Sequence, residues 1–420
     1  MHNIKDFNIE KELLPLFDFS LNSFTKVQIT DLLMSPLKSV DAIRHRQHIY
    51  KGFLANLGVL QSYTYTVLYL KEVHYFLQNT TIDDLSEKKI SYRLFTAKAD
   101  KISYQNRFIQ LIVLFHKLYT NYFSRLSTKP FPEDYKSAIK RIVQLLQTFE
   151  LTKYEHIIRE KTLKDQHVIE LSQKVVKLNA DGSIKQFWND LFLFEAYLSI
   201  SLAIAKYEFT FPEFSESGLE IADFYHPLLD KPVKNSLKTK GNVMVLNGPN
   251  MSGKSTLLKA LGLCVYLGHL GIAIPASDAK ITFFDHFSVA INKRDDVLKG
   301  YSHFMTEIVN LKTVVENADK GVCCFAIFDE LFSGTNVEDA FEICKTTISG
   351  LSKFKDSFFM VSTHIQQLKE VNNAQIENYY IACELIDQKP VFTYRLEKGW
   401  SDVKVGRILF EREGLNDLLK

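Results

Sequence analysis

Val243-Met244-Val245-Leu246-Asn247-Gly248-Pro249-Asn250-Met251-Ser252-Gly253-Lys254-Ser255-Thr256 is the stretch on which the reading of this 420-residue chain turns. Four apolar residues in succession suit a strand buried on both faces. The spacing GxxxxGK[ST] follows directly, and a helical pattern opens at Lys254. Glycines at 248 and 253 let backbone N–H groups turn inward around phosphate oxygens, and the start of a helix adds a favourable dipole. In this reading the run Gly248, Pro249, Asn250, Met251, Ser252, Gly253, Lys254, Ser255 and Thr256 cradles a nucleotide. Lys254 neutralises the β- and γ-phosphates, and the Ser255 hydroxyl ligates Mg²⁺. The expected ligands are ATP and Mg²⁺.

Three further elements join this loop. Val322 to Phe328 is an apolar run without alternation that delivers Asp329 and Glu330 at its end. Ligands of an open α/β sheet sit at the carboxyl ends of its strands. Asp329 is therefore expected to hold Mg²⁺, and Glu330 to orient or deprotonate the attacking water. A third strand, Phe358 to Val361, leads to Ser362-Thr363-His364, where His364 can sense the γ-phosphate or the attacking water. Ser302 opens the helical run from His303 to Ala318. It is either a plain N-cap or a hydroxyl offered to a nucleotide held by a second subunit.

Helical patterns over Lys254 to Leu270, His303 to Ala318 and Val337 to Leu351 alternate with these strands, so residues 216–420 read as an α/β domain. Tyr379 to Ile386 and Val391 to Leu396 flank Asp387-Gln388-Lys389-Pro390 and predict a hairpin. Residues 1–215 have few glycines and prolines, and their apolar residues recur at helical spacing, as in Phe108, Leu111, Leu114, Phe115 and Leu118. They predict an all-α half. The boundary falls where Pro212, Gly218, Pro227, Pro232 and Gly241 change the texture.

Lys plus Arg total 51 against 49 Asp plus Glu, so net charge gives no argument for a polyanionic partner. Basic stripes such as Lys136, Lys140 and Arg141, or Lys161, Lys164 and Lys174, are the local candidates, against a plain solvated face. The five cysteines show no CxxC spacing and predict free thiols in a reducing compartment. The N-terminus lacks a signal-peptide pattern, and the apolar run Leu198 to Ala205 is well short of the roughly 20 residues that span a bilayer. A cytoplasmic protein with no membrane partner is expected.

With these motifs in this order, the second half resembles the ATPase domain of the MutS family, itself related to the ABC ATPases. The likeness rests on Asn247 to Thr256, on Asp295-Asp296 ahead of Ser302-His303-Phe304-Met305-Thr306-Glu307, on Asp329 to Asn336, and on Ser362-Thr363-His364. His226-Pro227-Leu228-Leu229 resembles the family's entry to this domain. Thr25 to Gly52 is similar to the start of its core and lever. The resemblance implies a lever-like helical half followed by an ABC-type P-loop ATPase. It also implies ATP sandwiched between two ATPase domains of a homodimer, with Ser302 acting across it, and coupling of nucleotide state to mismatched or branched DNA. The Phe-x-Glu at Phe211-Pro212-Glu213 falls at the domain junction and reads as a linker. The alternative is an ATP-gated protein-interaction module without direct DNA recognition. A small-molecule P-loop kinase fits less well, since no arginine-rich lid follows Asp329.

Overall fold

Val243–Asn247 (β4), Cys324–Phe328 (β7) and Phe358–Thr363 (β8) are buried at every position, as central strands covered on both faces must be. In the computed structural model they form a six-stranded sheet in the order β10-β9-β4-β8-β7-β6, with His286–Ala290 (β6), Ile376–Ile386 (β9) and Lys389–Lys398 (β10). Residues 2–81, 83–291, 303–332, 334–371, 373–386, 389–401, 408, 410, 412 and 415–419 are described.

Strands β9, β4, β8, β7 and β6 run parallel, and only β10 is antiparallel, closing the hairpin on β9. The sheet is thus mixed at one edge. At the other edge Asn3 extends the pairing, donating to Phe287 O at 2.9 Å and accepting from Val289 N at 2.7 Å, so that β6 has a partner on its outer side. One face carries His303–Asp319 (α13) and Val337–Leu351 (α14), whose Val314, Cys344, Ile348 and Leu351 pack with Val243, Val245, Ala326, Phe328 and Val361. The other face carries Lys254–His269 (α12). A Cβ on its Gly262 would lie 2.5 Å from Ile327 Cδ1, so glycine there permits a close helix–strand approach. A second sheet, in the order β1-β5-β2-β3, is built from Glu213–Ser215 (β1), Glu220–Phe224 (β2), Asn235–Lys238 (β3) and Asp278–Thr282 (β5).

The chain divides into two compact units. The sheet unit comprises Met1–Pro15, Leu33–Arg44 and Tyr207–Lys420, and the helical unit Leu16–Leu32 and His45–Lys206. Two N-terminal segments therefore belong to the sheet unit, a placement that local helical periodicity cannot signal.

The helices before β1 are Leu14–Phe17 (α1), Ser23–Met34 (α2), Val40–Ala55 (α3), Leu57–Leu60 (α4), Val67–Asn79 (α5), Glu87–Thr96 (α6), Lys98–Leu118 (α7), Glu133–Thr148 (α8), Leu151–Arg159 (α9), Asp165–Ala180 (α10) and Ser183–Tyr207 (α11). Helix α11 is buried on nearly every side, which suits the central helix of a bundle. By length and composition alone it could cross a membrane, but 83% of its apolar window lies buried within the fold. Its Tyr197 packs edge-on with Tyr50 and Tyr135, and its Phe194 lies tilted against Phe53. Its Glu195 is fully enclosed and accepts from Asn22 Nδ2 (2.8 Å), Thr25 Oγ1 (2.5 Å), Tyr63 Oη (2.9 Å) and Tyr65 Oη (3.2 Å). Burial raises the pKa of this carboxyl against those donors.

Candidate functional site

The site is built on the carboxyl ends of β4, β7 and β8, which the parallel register brings to one edge. Asn247 ends β4 opposite Thr363 of β8, and Phe328 of β7 lies opposite Val361 of β8. The turn after β4 is shaped by Gly248 (φ 150°), Met251 (φ 69°) and Gly253 (φ 95°) before α12 begins at Lys254. Glycine is needed at 253 for two reasons. Its φ lies in the left-handed region, and a Cβ there would sit 3.1 Å from the Tyr394 ring. Met251 at the crest is 77% exposed, whereas Lys254 is buried and donates from Nζ to Gly248 O (2.9 Å) and Pro249 O (3.1 Å). Asn250, Ser255 and Thr256 face solvent.

Two buried polar atoms at this loop have no hydrogen-bond partner among the described residues: Ser252 Oγ, and Asn247 Nδ2, whose Oδ1 accepts from Ser401 N at 3.1 Å. An orphaned buried hydroxyl in a glycine-turned loop that opens a helix is what an oxygen-rich anion such as a phosphate chain would satisfy. On this ground the loop fits a nucleotide.

Asp329 is buried, and its backbone N–H donates to Ala290 O at 2.9 Å. The Ser362 hydroxyl donates to Asp329 Oδ1 while accepting from Glu330 N at 2.8 Å. One side chain on β8 thus fixes both acidic residues after β7. Glu330 (φ 51°) and Phe332 (φ 61°) both adopt the left-handed conformation without being glycine. Such strain, about 1 kcal/mol or more per residue, persists only where surroundings hold it. The holding groups are Ser362 for Glu330 and Glu307 Oε2 on α13, which accepts from Phe332 N at 3.0 Å. Ser362 and Glu307 lie within quoted runs, yet their positioning roles are visible only in three dimensions. His364 is exposed immediately after Thr363, at the same edge. Ser302 and Ser333 lie outside the described residues.

On the α12 side of Gly253, a cavity of about 380 Å³ is walled by Tyr225, His226, Leu229, Val233, Ile381 and Tyr394. His226 is buried, and its Nδ1 accepts from Leu228 N at 3.4 Å. Desolvation, then the nearby Lys259 charge, lowers its pKa and favours the neutral ring. Lys259 of α12 pairs with Glu12 at 2.6 Å. Burial pushes the Glu12 carboxyl up, but hydrogen bonds from Lys259 and Asn8 outweigh it and leave the pKa lowered. All five cysteines are free thiols.

Residues 244–412 match the family described as MutS domain V. This stretch is similar to domain V of the MutS family. The chain is 28% identical over 223 residues to the DNA mismatch repair protein MutS of Lysinibacillus sphaericus, a span of 50% of this chain and 26% of that protein. It is 30% identical over 205 residues to that of Bacillus licheniformis, covering 46% and 23% respectively. With the MutS of Carboxydothermus hydrogenoformans it shares 27% identity over 285 residues, 64% of this chain and 33% of the other. The chain thus spans between about a quarter and a third of the length of these relatives.

Proposed function

We propose that this protein is a MutS-like ATPase with an ABC-type P-loop domain, which binds and hydrolyses ATP with Mg²⁺ and couples that cycle to DNA, mismatched or branched. The observation that carries the reading is that the 248–256 loop, with its unsatisfied buried Ser252 hydroxyl, lies at the same sheet edge as Asp329, Glu330 and His364. Lys254 leaves its resting contacts with Gly248 O and Pro249 O to neutralise the β- and γ-phosphates. Ser255 and Asp329 would hold the metal, which when bound supplies charge neutralisation at the transferring phosphoryl group. Glu330, held by Ser362, orients the attacking water, and His364 senses the terminal phosphate. The cavity beside Tyr394 accepts the planar base. Ser302 acts across a homodimer, and the compartment is the reducing cytoplasm.

Measuring Mg²⁺-dependent ATP hydrolysis together with nucleotide binding tests this reading. Lys254→Ala should lose both, and Glu330→Gln should retain ATP but turn over at least about 100-fold more slowly. Full turnover by Lys254→Ala would sink it. The second reading, an ATP-gated protein-interaction module, draws support from ion pairs that engage much of the basic helix surface. Lys136 pairs with Glu133, Arg141 makes two bonds to Asp190, and Lys174 pairs with Glu150. It is favoured if no duplex, branched or mismatched DNA binds at low salt.

A further inference from the structure

The helical unit contains a groove between α5 and α7 that no step of the ATPase reading uses. Along α5 the buried residues Leu70, Val73, Phe76 and Leu77 face inward. Their spacing leaves Lys71, Tyr75 and Asn79, four residues apart, on one outward stripe. Along α7, Tyr104, Phe108 and Leu111 turn inward and leave Asn106, Arg107 and Gln110 on the facing stripe. The two stripes line a groove of about 770 Å³.

Its chemistry is unusual for a solvated helix face. Tyr75 is 68% exposed and contacts no other ring among the described residues. The Arg107 guanidinium lies 5.4 Å from the Phe76 ring centroid and 5.6 Å from that of Tyr104, so cation–π contact orients it without a carboxylate. Other charges in the groove are committed. Arg93 donates to Tyr104 Oη at 2.6 Å and pairs with Asp84 at 3.3 Å, while Glu72 takes the amide of Gln110. Lys71 and Arg107 are thus the groove's two cations outside any ion pair among the described residues. The Asn79 amide donates to Tyr75 O at 3.0 Å, which leaves its Oδ1 and the Asn106 amide to a ligand. A free ring, two free cations and these amide groups within one groove match a phosphate chain carrying a planar base. A phosphopeptide would satisfy the cations and leave the ring without a partner. A fully stacked duplex would offer no base face to Tyr75.

We propose that this groove binds an unpaired nucleotide of a DNA strand, with Tyr75 stacking on the base, Arg107 and Lys71 holding its phosphates, and Asn79 and Asn106 meeting the base edge. The proposal rests on the DNA-coupled reading above and gives it a place on the molecule. It makes the helical unit a reader of unstacked strands, such as gaps, flaps and branch points.

The full chain is titrated with a single-stranded oligodeoxynucleotide carrying 2-aminopurine, and with a blunt duplex of the same sequence. Wild type is expected to bind the single strand more tightly than the duplex and to change the probe's fluorescence. Tyr75→Ala should weaken single-strand binding by roughly 5- to 150-fold and abolish that change, while Tyr75→Phe keeps both. Arg107→Gln should reduce the slope of log affinity against log salt by about 0.7. Unchanged melting temperatures for the three variants exclude loss of fold. If wild type binds DNA and neither Tyr75→Ala nor Arg107→Gln alters affinity or slope, the groove assignment is overturned and the DNA-coupled reading stands. If wild type binds no DNA at low salt, both fall.

Discussion

Replacing Ser362 by alanine removes a single buried oxygen that serves two partners at once. Its hydroxyl donates to the Asp329 carboxylate and accepts from the Glu330 amide at 2.8 Å, and the side chain has no exposed surface. A hydrogen bond to a charged group contributes about 1.5–3 kcal/mol, and a neutral one about 1. The variant also leaves the Glu330 N–H buried against an apolar methyl. Loss of the charge-assisted bond alone, felt in how Asp329 and Glu330 are aimed, corresponds to about a 10- to 100-fold fall in turnover, since 1.4 kcal/mol is a factor of ten. The effect should fall mainly on kcat, because the 248–256 loop, proposed to set nucleotide affinity, is untouched. Single-turnover hydrolysis with saturating ATP and Mg²⁺, beside equilibrium binding of a labelled nucleotide, separates the two. A Ser362→Ala enzyme that turns over at the wild-type rate, with any loss confined to its urea midpoint, would show that Ser362 serves the fold and not the acidic pair.

Two further outcomes follow from the sheet unit. His269 is buried, with Nδ1 bonded to Val265 O at 2.7 Å and Nε2 accepting from Phe284 N at 2.9 Å, an arrangement that requires the neutral ring. Desolvation lowers its pKa to about 4, so the unfolded chain takes up a proton near pH 6.5 that the folded chain refuses until about pH 4. Stability contributed by this group is complete above pH 6.5 and is lost, to the extent of about 3 kcal/mol, as pH falls towards 4. Urea titrations from pH 8 to pH 4.5 should show a shallower decline for His269→Gln than for wild type, and parallel declines would refute the assignment. Gly253→Ala forces a Cβ into the left-handed region and to 3.1 Å from Tyr394, costing about 1–2 kcal/mol of loop geometry. Nucleotide affinity should drop roughly 5- to 30-fold by calorimetry with little change in melting temperature.

Much of the sheet unit is legible because its signals are local. An uninterrupted apolar run fixes β4, β7 and β8 as doubly covered strands, and glycine spacing marks the turn that follows β4. Helix α14 spans the same residues, Val337 to Leu351, that its periodicity predicts. What local reading misses is pairing at a distance. Nothing in the sequence around Asn3 announces a partner 285 residues away, and the hydrophobic pattern of residues 1–15 is that of any short amphipathic segment. Ser362 is likewise readable as a strand-end residue. Only the β7–β8 register brings it beneath both Asp329 and Glu330.

The helical unit shows why motif reading fails where no catalytic geometry constrains the residues. Judged by spacing, Lys136, Lys140 and Arg141 are as good a phosphate-binding stripe as Lys71 and Arg107. The difference lies in what stands opposite. Arg141 meets Asp190, a largely buried carboxylate 49 residues on, and is consumed by two bonds of 2.8 and 2.9 Å. Arg107 meets the faces of Phe76 and Tyr104, which orient a guanidinium while leaving its donors unspent. Whether a cation can serve a ligand is therefore decided by its tertiary neighbour rather than by its place along the helix. For that reason the two stripes should respond oppositely to neutralisation. Arg141→Gln leaves the Asp190 carboxylate with only the Gln186 amide among the donors described for it and should lower stability, whereas Arg107→Gln should spare stability and lower the salt dependence of DNA binding.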